Sequence, residues 1–169
     1  MNPDVMVAPE IDYLALLPMI IVGVAAVLGV IVETFVGRRA RRPVQLVLVF
    51  GSLAGAFAAL VWQSGTRSLE VEGALAIDGP GILLMGLVLV VAFVGAMLMA
   101  ERQLDPAGDS FAPRASALPG SVDERELTKR GYLQTEVWPL FLFSVGGMLL
   151  FPASTDLLTM FVALEVLSL

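Results

Sequence analysis

Glu165 stands in the run LTMFVALEVLSL, among Leu, Met, Phe and Val, with no Arg or Lys within two helical turns. A carboxyl in such a setting has few chemical uses. Water-poor surroundings disfavour the charged form and a nearby cation favours it, so a carboxyl between these two influences loads and releases a proton as the cation moves. Ser168, three residues on, lies on the same helical face and offers a hydroxyl to a hydrogen-bonded water chain. A second carboxyl, Glu33, sits in GVIVETFVGRRA, and its ordinary explanation is snorkelling and pairing with Arg38 and Arg39. Asp156 follows the turn PASTD, where a carboxylate caps a helix start.

The element that must carry Glu165 is defined by its solvent. The chain is 57% hydrophobic and only 15% charged, against about 25% charged in soluble domains. Its mean hydropathy is +0.86. The apolar residues come in blocks rather than stripes, and blocks of about twenty match a hydrocarbon core of roughly 30 Å. The spans expected are residues 11–36, 43–63, 79–100 and 137–152, with a last segment over 156–169 too short to cross. Continuous apolar runs of this length favour helices over barrel strands. The fold class is therefore all-α: a polytopic transmembrane helix bundle of four complete spans and a truncated fifth. Residues 101–136, rich in Pro, Gly, Ala and Ser, read as a flexible loop.

A helix starting near Asp156 carries Glu165 about 14 Å inward, close to the bilayer midplane. Charge there costs roughly 2.5–3.5 kcal/mol on insertion scales, so the default reading is functional. The alternative is a permanently protonated Glu bonded to a neighbouring helix. The chain has no Cys and no His, which excludes disulfides, iron–sulfur clusters, thiolate metal sites and the usual haem and zinc ligands. Every basic residue but Arg67 falls in GRRARR or in 101–136. By the positive-inside rule those two connections are cytoplasmic and the N-terminus is outside. The stripe Gly51, Gly55, Ala59 fits close packing against another helix of the chain, and Ser144, Gly146 and Gly147 offer the same in the fourth span. Pro18 either kinks the first helix or sits harmlessly in its first turn.

The run GYLQTEVWPLFLFSVGGMLLFPASTDLLTMFVALEVLSL resembles the fourth and fifth helices of the antiporter-like subunits of bacterial proton-pumping NADH–quinone oxidoreductase (respiratory complex I). The match rests on an S-x-D-L-L turn, an apolar run, then L-E-x-L-S-L. The related subunits of multi-component sodium/proton antiporters and membrane-bound hydrogenases share this logic and stay open as alternatives. The resemblance implies that Glu165 pairs with a lysine on a later helix, which this chain lacks, in a relay of lysines and waters. It implies that the ending at Leu169 is a truncation of a protein of about fourteen helices. It also implies no cofactor in this subunit, with NADH, flavin, iron–sulfur clusters and quinone held by partners. The implied partners are a neighbouring antiporter-like subunit, a small membrane subunit and the lipid bilayer of the bacterial cell membrane, with no nucleic acid.

Overall fold

The structure, a computed structural model, describes residues 11–101 and 135–169. The loop expected at 101–136 lies almost wholly outside them. Five α-helices are formed among the described residues: α1 Leu17–Phe35, α2 Arg38–Trp62, α3 Gly79–Ala100, α4 Val137–Leu150 and α5 Leu157–Leu167. The first three are long and apolar enough to cross a membrane. The fourth continues through a 3-10 turn to make the shorter apolar segment Val137–Ala153, and α5 is shorter again. This is the all-α membrane helix bundle the composition requires. Pro18 sits in the first turn of α1, where its missing N–H costs nothing.

Two local departures from the sequence reading matter. The second helix begins at Arg38 rather than Pro43, so GRRARR is not a loop but its first turns, and only Val36 and Gly37 connect it to α1. Pro43 is carried inside it. The polar stretch after α2 is not featureless either. Ser68–Glu70 (β1) and Leu75–Ile77 (β2) pair antiparallel, Ser68 opposite Ile77 and Glu70 opposite Leu75. The reversal takes Val71, Glu72 and Gly73 through positive φ, a conformation that β-branched Val71 adopts only at a cost in strain. The buried Glu70 carboxylate accepts the Asp12 N–H at 2.9 Å, tying the hairpin to the start of the chain. The Thr155 N–H donates to the Ala74 carbonyl at 3.0 Å, tying it to the turn before α5.

These ties define two ends. At one lie the arginines, the end of α1, the end of α3 and the start of α4; Arg42 Nη2 donates to the Ala100 carbonyl at 2.9 Å. At the other lie the hairpin, the start of α1 and the α4–α5 turn. Helix α4 runs between the two ends and packs against α1, α2, α3 and α5. Its buried residues, Trp138, Pro139, Leu142, Val145, Gly147 and Leu149, face several directions.

The core is small-residue packing with a few large plugs. Ala25, Ala26, Ala56, Ala92, Ala96 and Ala163 are buried, whereas Leu28, Leu83, Leu87 and Leu98 are exposed. Lipid tails are as apolar as Leu, so helices gain by close van der Waals fit where side chains are small and leave large ones to the lipid. Phe50 and Phe93 meet edge-on at 5.2 Å, one from α2 and one from α3. Of the small-residue stripes, Gly147 makes the closest approach. A Cβ there would lie 2.5 Å from the Leu167 nitrogen and 2.8 Å from the Ala163 oxygen, so the α4 backbone rests directly on α5. Gly51 behaves otherwise. It meets nothing within 4 Å and opens onto a shallow groove of about 410 Å³ beside Ile20, Val24 and Leu28. The rest of the stripe packs as expected: a Cβ at Gly55 would lie 3.8 Å from Ile21 on α1 and Ala59 is buried, so only Gly51 lacks the contact.

Candidate functional site: two carboxyl positions

Asp156 caps α5. Its Oδ1 accepts the Thr159 N–H at 2.8 Å and its Oδ2 the Thr159 hydroxyl at 2.7 Å. The Thr159 amide above all, then the Thr159 hydroxyl, hold this carboxyl below its ordinary value, against a small opposing effect of burial. The cap sets where the helix starts and hence how far along it Glu165 falls.

Helix α5 then lies along the second half of α4. The Ser144 hydroxyl donates to the Leu167 carbonyl at 2.7 Å, beside the Gly147 contact. Since Ser144 and Gly147 are near the middle of Val137–Ala153, Glu165 sits about 3 Å back from Leu167, near mid-height of α4. Ala163 is buried against α4, whereas Glu165 is exposed on the outer side with Leu158, Phe161 and Val162. Among the described residues no side chain bonds its carboxyl. Ser168 does not reach the carboxyl: its hydroxyl donates to the Glu165 backbone carbonyl at 2.9 Å, as a helix-end residue does.

Glu33 is the better connected carboxyl, and its partners differ from those expected. Among the described side chains its ion pair is with Arg41, at 3.4 Å, and not with Arg38; the Arg39 side chain lies outside them. Because α2 starts at Arg38, Arg41 and Gln45 fall one turn apart on the face toward α1. Gln45 Nε2 donates to Glu33 Oε1 at 2.9 Å and to the Gly29 carbonyl at 2.8 Å. The Thr135 hydroxyl, from just ahead of α4, donates to Glu33 Oε2 at 2.9 Å. Arg41 is itself anchored by its Nε on the Val36 carbonyl at 2.6 Å. Gly29 allows this arrangement, since a Cβ would come within 3.0 Å of Gln45 Oε1 and of the Pro139 side chain. Gln45 and Thr135 were not among the candidate residues that the sequence offered. A Gln inside the apolar run VQLVLVF is the signal for the first; nothing local marks the second.

Long helices that present large apolar side chains outward and pack through small ones define the class: a polytopic helical membrane protein. Compared with known proteins, no family model matches the chain. It is 50% identical to NADH-quinone oxidoreductase subunit N of Rhodococcus opacus, over 96% of this chain and 34% of that protein. It is 48% identical to NADH-quinone oxidoreductase subunit N 3 of Streptomyces griseus (96% and 31%) and 44% identical to subunit N of Mycobacterium tuberculosis (96% and 34%). The chain thus resembles subunit N along nearly all of its length, and it spans about a third of the length of these curated relatives.

Proposed function

We propose that this chain is the N-terminal part of a proton-translocating membrane-arm subunit of an NADH–quinone oxidoreductase. Electron transfer in partner subunits is coupled to proton movement through a Glu/Lys relay in which Glu165 is the carboxyl. The observation that carries the reading is Glu165 itself, exposed at mid-height on an otherwise apolar face of a helix whose other face is filled by α4. A face with that composition suits a further helix bearing a donor or cation, and the relatives are long enough to supply one. When such a cation approaches or withdraws, the carboxyl's preference for its proton changes in the opposite sense to the cation's.

In this reading the subunit holds no cofactor; NADH, flavin, iron–sulfur clusters and quinone belong to its partners. Its membrane partners are a neighbouring antiporter-like subunit and a small membrane subunit. The arginine end faces the cytoplasm of a bacterial cell and the hairpin end faces outward, a reading supported by the distribution of Arg and Lys. The oxidoreductase names of the relatives favour it over a sodium/proton antiporter or a membrane-bound hydrogenase.

The test is Glu165→Gln in the full-length subunit, assembled with its complex in sealed vesicles. Proton pumping per NADH oxidised is expected to fall clearly while assembly persists. Undiminished pumping would remove Glu165 from the path and leave the chain a membrane anchor.

A further inference from the structure

The Glu33 cluster is larger than a structural ion pair needs, and its bonds are of an unusual kind. The close partners of the carboxylate, the Gln45 amide and the Thr135 hydroxyl at 2.9 Å each, are neutral. The cation stands further off, at 3.4 Å, beyond the roughly 2.7–2.9 Å of a tight charge-assisted bond. The two Glu33 oxygens are also not equivalent. Gln45 spends both N–H groups, one on the Gly29 carbonyl and one on Glu33 Oε1. Turning the amide over would set its oxygen against the Gly29 carbonyl oxygen. Oε1 is therefore held as an acceptor, and the completely buried Gln45 Oε1 is left without a partner. Oε2 faces a hydroxyl, which either gives or accepts a hydrogen bond by rotating about its C–O bond.

We propose that Glu33 is a second proton-binding carboxyl, at the arginine end of the bundle, which takes its proton from water on that side and holds it on Oε2. On protonation an O–H forms at Oε2 and the Thr135 hydroxyl turns from donor to acceptor, while the Gln45 amide keeps both of its bonds. Both Glu33 oxygens thus keep a neutral partner in either charge state, Gln45 on Oε1 and Thr135 on Oε2. The Glu33 side chain is 13% exposed and Arg41 27%, so the site is not sealed from its surroundings. Among the described side chains, the charged groups around it are Arg41 on Oε2, Arg38 at the exposed start of α2, Arg42 on the Ala100 carbonyl, and the exposed Glu101 and Glu136 beyond α3 and before α4. Only the link from this site to transport rests on the function proposed above; proton binding at Glu33 does not.

Infrared difference spectra of the assembled full-length complex in lipid vesicles, taken between alkaline and acidic buffer, test it directly. The wild type is expected to gain the C=O stretching band of a protonated carboxyl. That band should be lost in Glu33→Gln, whose amide oxygen still accepts from Gln45 while its NH2 donates to the Thr135 hydroxyl, and should move in frequency in Thr135→Val. Glu33→Asp, which keeps a carboxyl but displaces it, should shift the band and provides the reading if Glu33→Gln fails to assemble. An acid-induced spectrum unchanged in these variants overturns the proposal. Glu165→Gln should leave the Glu33 band in place, so a failure of the relay at Glu165 and a failure here are told apart.

Discussion

The Asp156 carboxylate organises the first turn of α5 by accepting two bonds from Thr159. Its folded-state value lies below the ordinary 3.8, so its contribution to stability is present above that value and is lost as the pH falls through the lowered one. Acid titration of the detergent-solubilised subunit should therefore show α5 loosening only in strongly acidic buffer, as amide exchange at Thr159. Asp156→Asn should remove most of that pH dependence, because an amide still caps but does not titrate. Glu33→Ala is expected to be more damaging than Glu33→Gln. It strands the Gln45 amide and the buried Thr135 hydroxyl together, each unsatisfied group costing about 1–3 kcal/mol. Thermal unfolding of the pair in one detergent checks the order. At this scale the sequence is informative about which residues are out of place in an apolar run. It is silent on Thr135, whose role exists only because α4 begins beside the end of α1.

Between elements, the contact of α4 with α5 is backbone on backbone at Gly147, and that makes it brittle. Gly147→Ala drives a methyl into the Ala163–Leu167 helical bond, and overpacking of this kind costs about 1–3 kcal/mol. It should also displace Glu165, so pumping is expected to fall more than folding does. Gly51→Ala is the control in the same class of motif. It meets open space, so it should be neutral or gain up to about 1 kcal/mol from helix propensity. A thermal-shift comparison of the two variants, with pumping measured alongside, separates these outcomes. Both glycines lie in small-residue stripes that read alike in the sequence. Only the neighbouring helix decides which one is a contact.

Across the described residues, the two ends differ in charge and in construction: arginines at one, a pinned hairpin at the other. The absence of Cys from the chain makes single-cysteine labelling clean. In intact cells a membrane-impermeant maleimide should label Glu72→Cys at the exposed hairpin tip and spare Arg38→Cys until the membrane is opened. The reverse pattern would invert the assigned orientation. The hairpin was not legible beforehand, because two three-residue strands give too few positions for an alternating pattern to stand out. The start of α2 was hidden for a different reason. Pro43 and four arginines look like a break, but the helix bears both once its first turns project beyond the apolar layer.

Composition and the spacing of apolar blocks were enough to determine a helical membrane bundle, its approximate spans and the oddity of Glu165, because lipid permits so few backbone solutions. Which residues surround a carboxyl is a different kind of fact. The joining of Glu33, Gln45 and Thr135, and the outward turn of Glu165, depend on the rotation and height of each helix against its neighbours. Those are set by packing at positions such as Gly29 and Gly147, and packing is a relation between segments that no single stretch of sequence contains.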